Sequence, residues 1–396
     1  MSGESVVYVV PDKMGGMLNI VASLLAHRGA DDMSYHAVLT RNRLDTDTLF
    51  AGRLAADTQQ TFDFALPVEN IYAVLRRLRD AMPDGDGVLV SNDWIELAML
   101  HVYDTPRMVV QLLHGDHAYY YDLATRHQDV IDVFAAYSRA MYDELRRRLP
   151  HRAEDVLYMP YGIALAERIR EARTSGPLRL LFAGRFEHGQ KGVLELPMID
   201  RVLAERKIPV TWSLIGAGPD ERRMQETWQG PHVTWHGALS HADVLRVLAD
   251  YDVFVLPTRA EGFPVALVEA MAVGLVPVVS NIASGVPEVV EDGVSGFRPA
   301  VGDVAGFADA IATLARDRAR LNTMSGRARE RITSDFNAER RTREYQQLFA
   351  QWRARRRLRA TRPPLPYGSR LDRPWVPNTV VRAVRSSMRA LAGKSW

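Results

Sequence analysis

Two rhythms of apolar and polar positions alternate along the chain. Short β-branched runs ending in Gly, Asp or Ser recur, and stretches with apolar residues at helical spacing lie between them. In the first half the runs are VVYVV (6–10), GVLVSND (87–93), MVVQLLHGD (108–116), VFAAYS (133–138) and DVLYMPYG (155–162), with helices read over 17–28 and 67–82. Near-continuous apolar strands separated by helices predict parallel sheets covered on both faces. The chain turns polar around 164–177 and ends that stretch in Ser-Gly-Pro, which suits a linker. A second series follows: LRLLFAGR (178–185), VTWSLIGAG (210–218), HVTWHG (232–237), DVFVLPT (252–258) and VPVVS (276–280), with helical patterns over 241–251 and 303–324.

These elements predict an α/β protein of two doubly wound, Rossmann-like domains facing each other across a cleft. The expected layout is an N-terminal domain over 1–165, a linker over 166–177 and a C-terminal domain over 178–335. A helix over 336–355 is expected to cross back to the first domain, and a basic, Pro-containing tail occupies 356–396. In such sheets ligands bind beyond the carboxyl ends of the strands. Gly15-Gly16, His114-Gly115-Asp116, Gly184-Arg185, Gly216–Pro219 and Glu261-Gly-Phe-Pro all fall there.

Composition narrows the chemistry. A chain of 396 residues suits two cores of about 150–200 residues each. There is no cysteine, so thiolate nucleophiles, thiolate metal sites and disulfides are excluded. VVYVV is too short for a signal-peptide core, and no run approaches the ~18–20 apolar residues of a membrane span. The substrate is therefore expected on the cytosolic side. Net charge is +2, but residues 351–396 hold twelve Arg or Lys against Asp372 alone, so the tail carries +11 and the remainder −9. An anionic partner is expected for the tail only. The body lacks a basic patch with interleaved aromatics, which argues against nucleic acid. Residues 376–393 read as a basic amphipathic helix with Arg382, Arg385 and Arg389 on one face. Two readings of the tail stand: a solvated arm, or a peripheral attachment in which this helix lies on an anionic membrane surface with Trp375 and Trp396 at headgroup level.

The segment Glu261-Gly-Phe-Pro-Val-Ala-Leu-Val-Glu269-Ala-Met-Ala-Val-Gly274 is the most informative. Pro264 suits the first helical position and Gly274 the exit, so the free amides of Val265 and Ala266 would form a phosphate site just after a strand. Along the helix axis the two carboxylates should stand about 10 Å apart. A retaining glycosidase pair needs about 5–5.5 Å. The wider spacing suits one carboxylate on a sugar and one on a ribose, with a diphosphate between. Taken alone, Glu269 also fits a structural residue on an apolar helix, and Glu261 a turn residue. Arg185 and Lys191, six residues apart on one loop, could compensate a departing diphosphate without metal. GAGPDE (216–221) imitates a dinucleotide loop, but Glu221 stands in place of the third glycine, so nicotinamide binding is not expected. Asp45/Asp47 and Asp84/Asp86 resemble metal-binding Asp-x-Asp pairs but lie in polar, turn-like stretches and are read as loops, leaving no metal site. His114 closes a strand toward the cleft, where a lone histidine fits a structural role as well as a functional one.

Together these residues resemble the retaining glycosyltransferases of the GT-B fold, family 4 (glycosyl transferases group 1). The matching pieces are Gly15-Gly16, LLHGD (112–116), Ser138, YMPYGI (158–163), LFAGR…QKG (181–192), LIGAGP (214–219), VTWHGAL (233–239), the run 253–280 and GVPEVVEDGVSGF (285–297). The match runs from about 6 to 350, dense after 178 and thin before it. The resemblance implies that Arg185 and Lys191 bind the donor diphosphate. Glu261 would hold donor-sugar hydroxyls beside the Gly262 and Phe263 amides, and Glu269 the ribose. His114 would lie near the transferred sugar, and Gly16 in the loop that approaches donor phosphate and acceptor. It further implies a nucleoside-diphosphate-sugar donor, with UDP and GDP both open, and no cofactor. The acceptor it implies is a polysaccharide, glycolipid or metabolite facing the cytosol, lipid-linked acceptors included. Nucleotide-sugar epimerases and sugar phosphorylases share the fold, as would a non-catalytic nucleotide-sugar-binding subunit; the helix motif favours transfer.

Overall fold

The computed structural model describes residues 3–46, 48–165, 168–359 and 362–392, with side chains of the last helix described to Met388. Asp47, Arg389 and Trp396, each singled out above, lie outside the described residues or side chains. The first seven strands are β1 Ser5–Pro11, β2 Ser34–Asn42, β3 Thr58–Phe64, β4 Gly87–Ser91, β5 Arg107–Leu113, β6 Val133–Ala136 and β7 Val156–Tyr158. They form one parallel sheet in the order β3-β2-β1-β4-β5-β6-β7. A second parallel sheet, β10-β9-β8-β11-β12, comprises β8 Leu178–Ala183, β9 Val210–Ile215, β10 Val233–Gly237, β11 Val253–Leu256 and β12 Val276–Val279. The fold is GT-B.

β2 and β3 were not among the strands read from hydropathy. Most of β3 (TQQTFDF) is polar, because it is the edge strand and only Phe62 and Phe64 turn inward. Two helix readings also change. Residues 303–324 are not one helix: Asp317 leaves helical geometry and caps a second one, so Val304–Arg316 is followed by Arg318–Asp335. Pro264 is the N-cap, and the helix it precedes runs Val265–Ala272, with Gly274 left-handed (φ 93°) beyond it.

Strand order reverses between β1 and β4 in one sheet and between β8 and β11 in the other. Crevices open at such switch points, beyond the carboxyl ends of the strands. The chain crosses between the halves twice, at one place. The Ile163 amide donates to the Phe336 carbonyl and the Ala338 amide to the Ile163 carbonyl, each at 2.9 Å. A Cβ on Gly162 would stand 2.5 Å from the Asn337 carbonyl carbon, so only glycine lets the strands lie this close. After the second crossing, helix Ala338–Ala350 packs on the N-terminal sheet: the Tyr345 hydroxyl donates to the Met159 carbonyl and the Phe349 ring meets Tyr8 edge-on.

The basic tail is a strap on this same sheet rather than a solvated arm. Arg353 pairs with Glu4, and Arg359 reaches the buried Asp132 at 2.9 Å. Helix Asn378–Ala392 buries Val381 and closes against Asn70 through Asn378, while Asp372 in the segment before it accepts from the Ile71 amide. Arg385, expected on an outward cationic face, turns inward to Asp372 at 2.6 Å. A carboxylate already desolvated by the fold outcompetes water for the guanidinium. What faces outward is Trp375, Val380, Val384 and Met388, with Arg382 exposed beside them.

Candidate active site

On the C-terminal side, β8 delivers Gly184-Arg185 and the short turn that ends in Lys191-Gly192, while β11 delivers residues 257–261. Gly192 is left-handed (φ 64°), and a Cβ there would meet the Pro257 carbonyl oxygen at 1.9 Å, so the two loops touch only through glycine. That contact brings together two residues seventy apart in sequence. Lys191 Nζ lies 2.5 Å from Glu261 Oε1, with the carboxylate buried and the ammonium one-fifth exposed. The Thr258 hydroxyl lies 2.8 Å from the same oxygen. Arg185 is not drawn into this pair; its side chain is two-thirds exposed and its ionic partner is Glu187 at 3.4 Å.

Beside the pair, helix Val265–Ala272 points its N-terminus into the cleft. Its first internal donor is the Val268 amide, bonded to the Pro264 carbonyl, so the Val265 and Ala266 amides precede the helical ladder. One and a half turns on, Glu269 is buried and accepts from His241 Nε2 at 2.6 Å. That hydrogen bond raises the His241 pKa against the opposing effect of burial. Glu269 and His241 open onto a cavity of about 520 Å³ between the domains, walled by Ile20, Tyr161, Leu245 and Val265.

The N-terminal half meets these groups closely. Helix Gly16–Ala26 starts against the other helix N-terminus, the vacant Cβ direction of Gly16 being 3.7 Å from a Val265 methyl. Gly262 approaches the loop after β5 more tightly still, a Cβ there falling 2.7 Å from Gly115 Cα. His114, on that loop, is held at both nitrogens: Nε2 donates to the Asn92 side-chain oxygen at 2.8 Å, and the Tyr137 hydroxyl stands 3.5 Å from Nδ1. Burial lowers its pKa to about 3, so the imidazole is neutral. With its hydrogen committed to Asn92, it can meet a substrate hydroxyl only through Nδ1, as an acceptor, and it is no proton donor near neutrality.

Sequence reading missed the residues behind His114. Asn92 is fixed by donating to the Val9 carbonyl at 2.8 Å. Its loop is gathered by Glu96 Oε1, which accepts from the Ser91 hydroxyl and from the Asn92 and Asp93 amides, each at 2.8 Å. Desolvation raises the Glu96 pKa to about 7. The polar triplet Ser-Asn-Asp closing an apolar strand was the available signal. An edge-to-face series of rings then runs His114–Tyr137–Tyr161–Phe263, joining the loops of both domains through aromatic contact.

Residues 177–317 match the family model for glycosyl transferases group 1. The C-terminal domain is that of a group 1 glycosyl transferase. The putative colanic acid biosynthesis glycosyltransferase WcaL of Salmonella typhimurium is 36% identical over 174 residues, 41% of this chain and 42% of that protein. Glycogen synthase of Mycobacterium tuberculosis is 29% identical over 276 residues, 63% of this chain and 65% of its own. The match thus spans less than half of WcaL. Among solved structures, Anabaena HepE in complex with UDP aligns with a TM-score of 0.68 at 17% identity, covering 88% of this chain and all of that one. The group 1 segment contains Arg185, Lys191, Glu261 and Glu269, whereas Gly16, Asn92 and His114 lie outside it.

Proposed function

We propose that the protein is a retaining, metal-independent hexosyltransferase that moves a sugar from a nucleoside-diphosphate sugar to an acceptor facing the cytosol, in the assembly of a polysaccharide or related glycan. The observation that carries the reading is the Lys191–Glu261 pair set beside a free helix N-terminus, with His114 and Gly16 opposite. Positive charge and backbone amides would receive the diphosphate; Glu261 would take donor-sugar hydroxyls; Glu269, in its cavity, would take the ribose. WcaL is described as a putative colanic acid biosynthesis glycosyltransferase, and HepE was solved in complex with UDP and in complex with UDP and glucose, which supports this chemistry.

In the proposed reaction the anomeric C1–O bond to the diphosphate breaks, its electron pair staying on the phosphate oxygen. The acceptor oxygen bonds C1 from the same face, and its proton passes to the departing phosphate, so configuration is retained. Lys191, Arg185 and the Val265 and Ala266 amides would stabilise charge as it develops. Neutral His114 would orient the sugar without exchanging a proton.

The two carboxylates separate by experiment. Glu269→Gln should weaken binding of free UDP or GDP by about 1–3 kcal/mol per lost charged hydrogen bond. Glu261→Gln should leave that affinity near wild type and depress transfer. Titration calorimetry with each nucleotide distinguishes them, and reversed phenotypes would overturn the assignment.

The exposed side of helix Asn378–Ala392 supports a second element, peripheral attachment to an anionic membrane through Trp375, Val380, Val384 and Met388 with Arg382 beside them. No described helix is long and apolar enough to cross a membrane. Removing the strap would expose its N-domain contacts, so the informative variant is Val384→Asp with Met388→Asp. It should stay folded and lose sedimentation with phosphatidylglycerol vesicles at about 0.1 M salt, where charge attraction persists. Failure of the unaltered protein to sediment would sink this element alone.

A further inference from the structure

A second cavity, of about 350 Å³, lies on the N-terminal domain at the carboxyl end of β4, lined by Trp94, Tyr119, Asp122, Leu123, Arg126 and Tyr367. Its volume is within the ~300–1,000 Å³ usual for small-ligand sites. Three of its six walls are aromatic and two are charged. The Trp94 and Tyr367 rings meet at 4.9 Å and 61°, leaving an open angular platform. Asp122 and Arg126, one turn apart on helix Ala118–Arg126, are exposed at its rim. Trp94 also lines a smaller adjoining recess with Asp12, Arg41 and Asp93, and it follows Asn92, the partner of His114, by two residues. The cavity is thus connected to the His114 loop through the Asn92–Trp94 segment.

The strap supplies the third ring, and the fold holds it deliberately in place. Two proline carbonyls, Pro363 and Pro364, face His101 Nδ1 at 3.2 and 3.0 Å, so that nitrogen carries the hydrogen. His101 Nε2 must then accept from His127 Nδ1, at 2.8 Å, and His127 Nε2 accepts from the Tyr367 hydroxyl, also at 2.8 Å. Each polar atom in this relay is satisfied in one direction only, and Tyr367 ends it with its ring turned to Trp94. Tyr119 is fixed in turn by its hydroxyl, which donates to Asp93.

We propose that this cavity binds the acceptor and that the acceptor is a saccharide. A pyranose ring has one face of polarised C–H groups, which the negative faces of aromatic rings attract, and a rim of hydroxyls. Vicinal hydroxyls are matched by a carboxylate and a guanidinium set a helical turn apart. Arg126 stands over the Tyr367 ring at 5.6 Å and Asp122 lies 3.6 Å from Arg148, so both charged groups are held at the rim, where a lipid chain would meet the rings alone and a bare phosphate the guanidinium alone. The inference rests on the transferase reading for the word acceptor, but not for the binding itself.

The test titrates the full chain with methyl glycosides of glucose, galactose, mannose and N-acetylglucosamine and with their disaccharides. Tryptophan fluorescence and protein-observed NMR give the readout. At least one of these sugars should bind without nucleotide present. Tyr367→Ala and Trp94→Ala should weaken that sugar tenfold or more, and Tyr367→Phe, which keeps the ring, by less than threefold. Asp122→Ala, an exposed change that leaves the strap untouched, should also weaken it. Binding by none of the sugars, or binding indifferent to all three alanine variants, overturns the proposal, as does binding only of a detergent or alkyl chain. Nucleotide calorimetry keeps the two readings apart. Normal nucleotide affinity with no saccharide binding removes only this inference, whereas saccharide binding without nucleotide affinity removes the transferase reading and leaves the cavity a saccharide site.

Discussion

Lys191→Ala is expected to lower transfer by about two to three orders of magnitude, the usual effect of deleting one preorganised group that meets developing charge. The loss has two sources. The diphosphate would lose its point charge, and Glu261, buried and 2.5 Å from Nζ, would keep only the Thr258 hydroxyl. A buried carboxylate without its cation should turn away toward water, misplacing the hydroxyls it is proposed to hold. Arg185→Ala should also lose activity, but without the second effect, because its side chain is two-thirds exposed and paired only with Glu187. Steady-state kinetics at saturating donor, with thermal melting as the control for folding, checks both. Near-normal turnover of Lys191→Ala would remove the phosphate clamp from the mechanism.

Gly262→Ala is the second change of large expected effect. Its methyl would fall 2.7 Å from Gly115 Cα and 3.1 Å from both the Asp116 amide nitrogen and the His114 carbonyl oxygen. All three neighbours are backbone, so no side chain can swing aside. The loops carrying Glu261 and His114 would have to part by a fraction of an ångström to an ångström, and misplacement on that scale costs about 10²-fold in rate. Turnover should therefore fall by about that factor while affinity for the free nucleoside diphosphate, measured by calorimetry, stays near wild type. Unchanged turnover would show that the two loops need not touch during reaction.

β8, β11 and β12 could be read directly because they are buried nearly end to end, so burial and hydropathy coincide along them. β3 could not, since an edge strand shows the solvent most of its side chains. The helix carrying Glu269 was legible because Pro264 and Gly274 mark its ends; the error of one residue at Pro264 reflects a proline accepted as cap rather than first helical residue. Lys191 and Glu261 were each visible, but their contact was not, because it depends on how the Gly192 turn seats against Pro257. The tail shows the limit most plainly. Its charge was correctly counted, yet a count cannot say that Arg359 and Arg385 find Asp132 and Asp372, and so an inward strap was read as an outward arm. Tyr367 carried no local signal at all; its role follows from His127, 240 residues earlier.

The paired crossings at Ile163 and Asn337 have a mechanical consequence. Two tethers bonded side by side behave as a hinge pin: they permit swinging about their shared line and resist sliding or twisting that would shear one past the other. Opening of the molecule is thereby reduced to a single degree of freedom. The cavity beside Glu269 is lined by Tyr161 to Leu165, next to the pin, where a door moves least. The meeting of Gly262 with Gly115 works as the latch, and the ring series through Tyr137 and Tyr161 as its stiffened edge. A one-residue insertion in either tether, harmless in an ordinary surface loop, would tilt the pin and leave the latch closing on the wrong atoms.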